Sequence, residues 1–126
     1  MSAPLPASAP RVLVLDQDAA VRQSLCFSLS LDGYRVEPFG DVSSFTGRLN
    51  TGGADAVIIG HAPPLIQGPD LVRRVRACSA RTAVLLTATH PSAELNRLAR
   101  QDRVALVEKP LLGDALLQAL DAALAR

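Results

Sequence analysis

Five short strand-like runs recur along this chain, most of them apolar and β-branched and the second alternating, and a helical pattern follows each. Arg11-Val12-Leu13-Val14-Leu15 comes first, then Tyr34-Arg35-Val36-Glu37 and Asp55-Ala56-Val57-Ile58-Ile59. Thr82-Ala83-Val84-Leu85-Leu86-Thr87 and Arg103-Val104-Ala105-Leu106-Val107 complete the set. The first and third runs are apolar at consecutive positions, so neither face is left for water, as in a central parallel strand. Between the runs, apolar residues fall three or four apart: Val21, Leu25 and Leu29, then Val42, Phe45 and Leu49, then Leu71, Val72 and Val75. Leu95 and Leu98 mark a fourth helix, and Leu116, Leu117, Leu120 and Leu124 a fifth. Asp18, Asp41 and Asp114 stand where caps belong, Pro91 precedes the fourth helix, and Gly33 and Asn50-Thr51-Gly52-Gly53 end the first two.

The pattern is βαβαβαβαβα. Strands that alternate with helices form a parallel sheet covered on both faces, and five in this length fit the doubly wound, flavodoxin-like order 2-1-3-4-5. A chain of 126 residues makes one domain. With 48% hydrophobic and 20% charged residues it is not a disordered chain. No stretch approaches the ~20 apolar residues that cross a bilayer. The net charge of +1 lacks the excess of a nucleic-acid binder, and 3% aromatic residues leave little for base stacking. Arg73-Arg74-Val75-Arg76, beside Asp70, therefore reads as a solvated helix face. Cys26 and Cys78 lie far apart without ligand spacing and read as reduced thiols of a cytoplasmic protein. Residues 1–10 carry three prolines and no charged start, so they read as a flexible arm and not a secretory signal, with the domain at 11–126. The fifth helix runs to the last residues, and no output module is expected after it within this chain.

Ligands of such sheets bind outside the carboxyl ends of the strands. Those ends carry Asp16-Gln17-Asp18, Gly60-His61, Thr87-Ala88 and Lys109-Pro110. The intervals are 44 residues from Asp16 to Gly60, 27 on to Thr87 and 22 on to Lys109. With Val21-Arg22-Gln23-Ser24-Leu25, Gly33-Tyr34-Arg35-Val36, Pro64, Gly68 and Val107-Glu108-Lys109-Pro110, the set resembles the receiver domain of bacterial two-component response regulators. The resemblance runs from Val12 to about Leu124.

It implies a pocket for phosphoryl transfer to an aspartate after strand three. Two acidic residues after strand one help hold a divalent cation, a Thr or Ser after strand four contacts the phosphoryl group, and a Lys after strand five neutralises it. Hard cations take carboxylate oxygens, and developing phosphoryl charge takes fixed positive groups. This sequence departs from that pattern at its centre. Gly60 matches the phosphoacceptor and has no nucleophile. Gln17 matches the second acidic residue and is a neutral amide. Asp16 remains in place, and Asp18, one step on, reads as a helix cap. Thr87 and Lys109 are present, and Lys109 is expected to pair with Asp16, since a buried lysine without an anion is costly. The peptide before Pro110 is often cis in the family, a structural role. Leu106 stands where many receivers carry the aromatic switch residue.

The expected function is an atypical, phosphorylation-independent receiver acting as a protein-interaction module in two-component-type signalling. It would contact a protein partner or a second copy through the face of the fourth helix, fifth strand and fifth helix, around Leu95, Leu98, Leu106, Ala115, Ala119 and Ala122. The alternative is a small-molecule or anion sensor using the vacated pocket. Mg2+ binding is expected to be weak or absent, with no metal site and no other cofactor. No membrane or direct nucleic-acid contact is expected. An enzyme is not expected, because no Gly-rich phosphate loop and no nucleophile–base pair occur. His61 and His90 read as single surface histidines.

Overall fold

The computed structural model describes residues 8–111 and 114–125. Residues 1–7 of the expected arm, and Gly113 ahead of the last helix, lie outside the described residues. Ala9 is buried, and the carbonyls of Ala9 and Pro10 accept hydrogen bonds from the side chain and main chain of Arg35.

Strands β1 (Arg11–Leu15), β2 (Arg35–Phe39), β3 (Ala56–Gly60), β4 (Ala83–Thr89) and β5 (Ala105–Lys109) form one sheet. All pairs are parallel, and the order is β2-β1-β3-β4-β5. Helices α1 (Ala19–Leu31), α2 (Val42–Leu49), α3 (Gly68–Cys78), α4 (Ala93–Gln101) and α5 (Ala115–Leu124) connect and close it. This is the doubly wound, flavodoxin-like architecture that the alternation implied.

Side chains alternate across a strand, so each central strand feeds two cores. On one face Leu13, Leu15, Val57, Ile59 and Leu86 meet Phe45 of α2, Leu71, Val72 and Val75 of α3, and Leu95 of α4. On the other, Val12, Val14, Ile58 and Leu85 meet Leu25 and Leu29 of α1 and Leu116 and Leu120 of α5. Each such side chain contributes about 1.5–3 kcal/mol by leaving water. Every residue of β3 is buried, as the middle strand of the sheet requires.

Asp18 and Asp41 cap α1 and α2 by accepting main-chain hydrogen bonds, and Ser92 does the same for α4. Asp114 holds the cap position of α5 without a side-chain cap bond. Gly33, at φ +94, turns the chain out of α1. On α3, Arg73 and Arg74 face solvent as expected. Arg76 differs: it is half-buried and donates to the carbonyls of Thr82 and Asp102. Among the described residues, no helix is long and apolar enough to cross a membrane.

Candidate functional site

The parallel sheet gathers four strand ends at one edge. Asp16 follows β1, and Gly60 and Lys109 are the last residues of β3 and β5. Thr87 lies inside β4, opposite Gly60, and Thr89 lies opposite Lys109.

Asp16 is 2% exposed, and its polar atoms are engaged. Oδ1 accepts from the Asp18 N–H at 2.9 Å, and Oδ2 accepts from Lys109 Nζ at 2.6 Å. Its carbonyl accepts from Arg22 Nη1 at 2.7 Å, and its N–H donates to the Phe39 carbonyl. The Arg22 guanidinium reaches this carbonyl by lying against Gly40, where a Cβ would come within 2.9 Å of it. The ion pair therefore links β1 to β5 across the ends of β3 and β4. Gly60 makes that crossing possible: a Cβ there would stand 2.6 Å from Asp16 Oδ2 and 3.3 Å from the Leu15 carbonyl. The carboxylate occupies the volume that any side chain at position 60 would enter.

The neighbours are placed as follows. Gln17 and Asp18 are exposed, and Asp18 Oδ1 accepts from the Ala20 and Val21 amides at the start of α1. Thr87 is 1% exposed, and its carbonyl accepts from the His61 N–H. The Lys109–Pro110 peptide is cis. Leu106 is half-buried and packs against the α2–α4 side core. A hard divalent cation needs several oxygen ligands. Here it would find one buried carboxylate, already bonded at both oxygens, beside a lysine. The residues present do not fit Mg2+. Among the described residues, no group of three or more His, Cys, Asp or Glu side chains is arranged to hold a metal.

His61 is not the solvent-facing residue expected from the sequence. It is half-buried, and its Nδ1 accepts from the Gly68 N–H at 3.0 Å, so the ring locks the β3–α3 loop onto the first residue of α3. An Ala62–Ile66 bridge folds the loop between them, with Ile66 buried. Burial holds the His61 pKa below its ordinary value of 6.5. The unfolded chain thus binds the proton more readily, so this contribution is complete above about pH 6.5 and is lost as pH falls toward the folded-state pKa. His61→Gln is expected to flatten the pH dependence of urea stability between about pH 6.5 and 5, above the range where carboxylates titrate. An unchanged slope in that window would sink the assignment. His90 is exposed, at φ +48.

No family model matches the chain. Response regulator MprA of Mycolicibacterium vanbaalenii is 32% identical over 118 residues, covering 92% of this chain and 51% of that protein. The chain thus spans about half the length of the curated relatives it matches. A CheY-like response regulator receiver domain from Methanospirillum hungatei JF-1 superposes with a TM-score of 0.86 at 19% identity, covering 94% of this chain and 95% of that one. The chemotaxis protein CheY4 of Vibrio cholerae gives a TM-score of 0.82 at 24% identity, over 92% and 99% of the two chains. The structural likenesses establish a CheY-like fold. Receiver domains are among the solved structures this chain resembles, and response regulators are among its sequence relatives. Such domains are in general signalling modules and not enzymes.

Proposed function

We propose that this chain is an atypical receiver domain that works without phosphoryl transfer, as a protein-interaction module in two-component-type signalling. Gly60 carries the reading. The end of β3 offers no nucleophile, and the Asp16 carboxylate, held by Lys109 at 2.6 Å, already fills the space a side chain there would need. Asp16, Gln17, Asp18, Gly60, Thr87 and Lys109 are then the remnant of a phosphorylation pocket. Pro110 is structural, and Leu106 stands in place of a switch aromatic. With no phosphoryl group to bias it, the conformation responds only to partners that bind one state better than another.

The contact face is α4, β5 and α5, which presents exposed Ala115 and Ala122 and half-buried Leu98, Leu106 and Ala119. Leu95 is excluded from it, because it is buried in the core. Small residues let a partner helix or a second copy approach closely. The setting is cytoplasmic, without direct nucleic-acid contact from this domain. The alternative, a ligand sensor in the same pocket, has less support: Asp16, Gly60 and Thr87 are buried, and a ligand would first have to pull Lys109 away from Asp16.

The decisive measurement is the intact mass after incubation with acetyl phosphate and Mg2+. The expected mass is unchanged. Stoichiometric gain of one phosphoryl group on an aspartate of this pocket would overturn the proposal.

A further inference from the structure

Three arginines converge at the end of the sheet opposite Asp16. Arg76 comes from α3, Arg81 from the turn before β4, and Arg103 from the turn before β5. They line a cleft of about 440 Å³ floored by small apolar residues, among them Ala105 of β5 and Ala119 and Ala122 of α5. That volume lies within the range of small-molecule sites, about 300–1,000 Å³.

The ordinary role for arginines here would be to neutralise helix C-termini, because α3, α4 and α5 all end on this side. Arg76 is committed in a related way: its guanidinium donates to the Thr82 carbonyl at 3.0 Å and to the carbonyl of Asp102, the C-cap of α4, at 3.4 Å. These bonds fix its orientation. Arg81 and Arg103 are exposed, and neither forms an ion pair or a side-chain hydrogen bond among the described residues. Arg103 also holds φ +58, a left-handed turn after α4 where glycine or asparagine is the less costly residue. Among the described residues, no carboxylate lines the cleft. Three guanidinium groups around an apolar floor thus have no counter-charge among the described residues, and planar guanidinium forks match phosphate oxygens.

We propose that Arg76, Arg81 and Arg103 form a binding site for a small diphosphate-bearing anion. A diphosphate carries enough charge to engage all three groups, and the cleft is larger than one phosphate needs. The site is remote from the Asp16–Lys109 pair, and the inference does not rest on the reading of that pair.

The test is an amide NMR titration of the whole chain with inorganic pyrophosphate at constant ionic strength, with sodium chloride and orthophosphate as parallel arms. Saturable shifts are expected at Arg103, Ala105 and Ala122, with half-saturation below about 1 mM, and the amides of Asp16 and Lys109 are expected to stay in place. Arg81→Gln with Arg103→Gln is expected to weaken binding about a hundredfold, roughly tenfold for each charged hydrogen-bonding group removed. Both side chains are exposed, and unchanged amide dispersion checks that the variant is folded. Shifts that do not saturate, that sodium chloride reproduces, or that survive the double substitution would mean an adventitious ion only and overturn the site. Orthophosphate binding as tight as pyrophosphate would overturn the diphosphate assignment.

Discussion

Replacing Lys109 with methionine is expected to cost about 3 kcal/mol of folding stability, the lower end of what is lost when one partner of a buried ion pair is removed. The side chain of Asp16 is 3% exposed in the pair and that of Lys109 is 19% exposed. Without the ammonium, Asp16 keeps its hydrogen bond from the Asp18 amide but has no charge partner at Oδ2. Partial solvent access to the lysine places the expectation at the low end. Adding Asp16→Asn should recover most of the loss, because the neutral amide no longer needs the cation. Urea unfolding of both single variants and the double variant closes the cycle and isolates the pairwise energy. A loss for Lys109→Met within about 0.5 kcal/mol, the range of ordinary surface substitutions, would show that the pair does not hold this edge of the sheet together.

The central strands β1 and β3 were legible because their residues are apolar on both faces, a pattern that few other elements produce. The strand ends were less so. β3, β4 and β5 each end one or two residues later than their apolar runs, since a parallel ladder continues wherever a neighbour is there to pair. Gly60 thus pairs with Thr87, and Lys109 with Thr89, whatever their side chains. The start of β5 was displaced for another reason. Val104, β-branched and apolar, has a strand-like residue type, yet its N–H donates to the Ala99 carbonyl and closes α4. At the site, the Lys109–Asp16 contact followed from charge balance alone. The His61–Gly68 bond did not, because it depends on how the intervening loop folds back through the Ala62–Ile66 bridge. Tyr34 donates its hydroxyl to Asp121 across 87 residues of sequence, and no local pattern foretells such a bond. Phe27 and Leu31, 69% and 75% exposed on the outer face of α1, break the rule that large apolar residues mark the core. Only the helical phase set by Leu25 and Leu29 places them outside.

Gly60→Asp, which restores a carboxylate at the end of β3, is expected to be more damaging than restorative, by roughly 3 kcal/mol in Mg2+-free buffer. Two effects act in the same direction. The Cβ alone would come within 2.6 Å of Asp16 Oδ2, an atom tethered by Lys109 and so not free to swing aside. The Leu15 carbonyl, 3.3 Å away, is backbone and yields less. A second carboxylate would then share one ammonium with Asp16 in a place where like charges repel strongly. Gly60→Ala separates the two effects, since it adds the clash without the charge. It is expected to cost about 1–2 kcal/mol, as overpacking of a filled interior does. Joining Gly60→Asp to Gln17→Asp supplies the oxygen ligands a hard cation requires, and Mg2+ should then return stability in proportion to its saturation of the site. Urea titrations of the three variants, each with and without Mg2+, measure all of this. Should Gly60→Asp prove as stable as the parent without the metal, Asp16 would have to leave position 60 free, and the crossing ion pair would not be what occupies the strand ends.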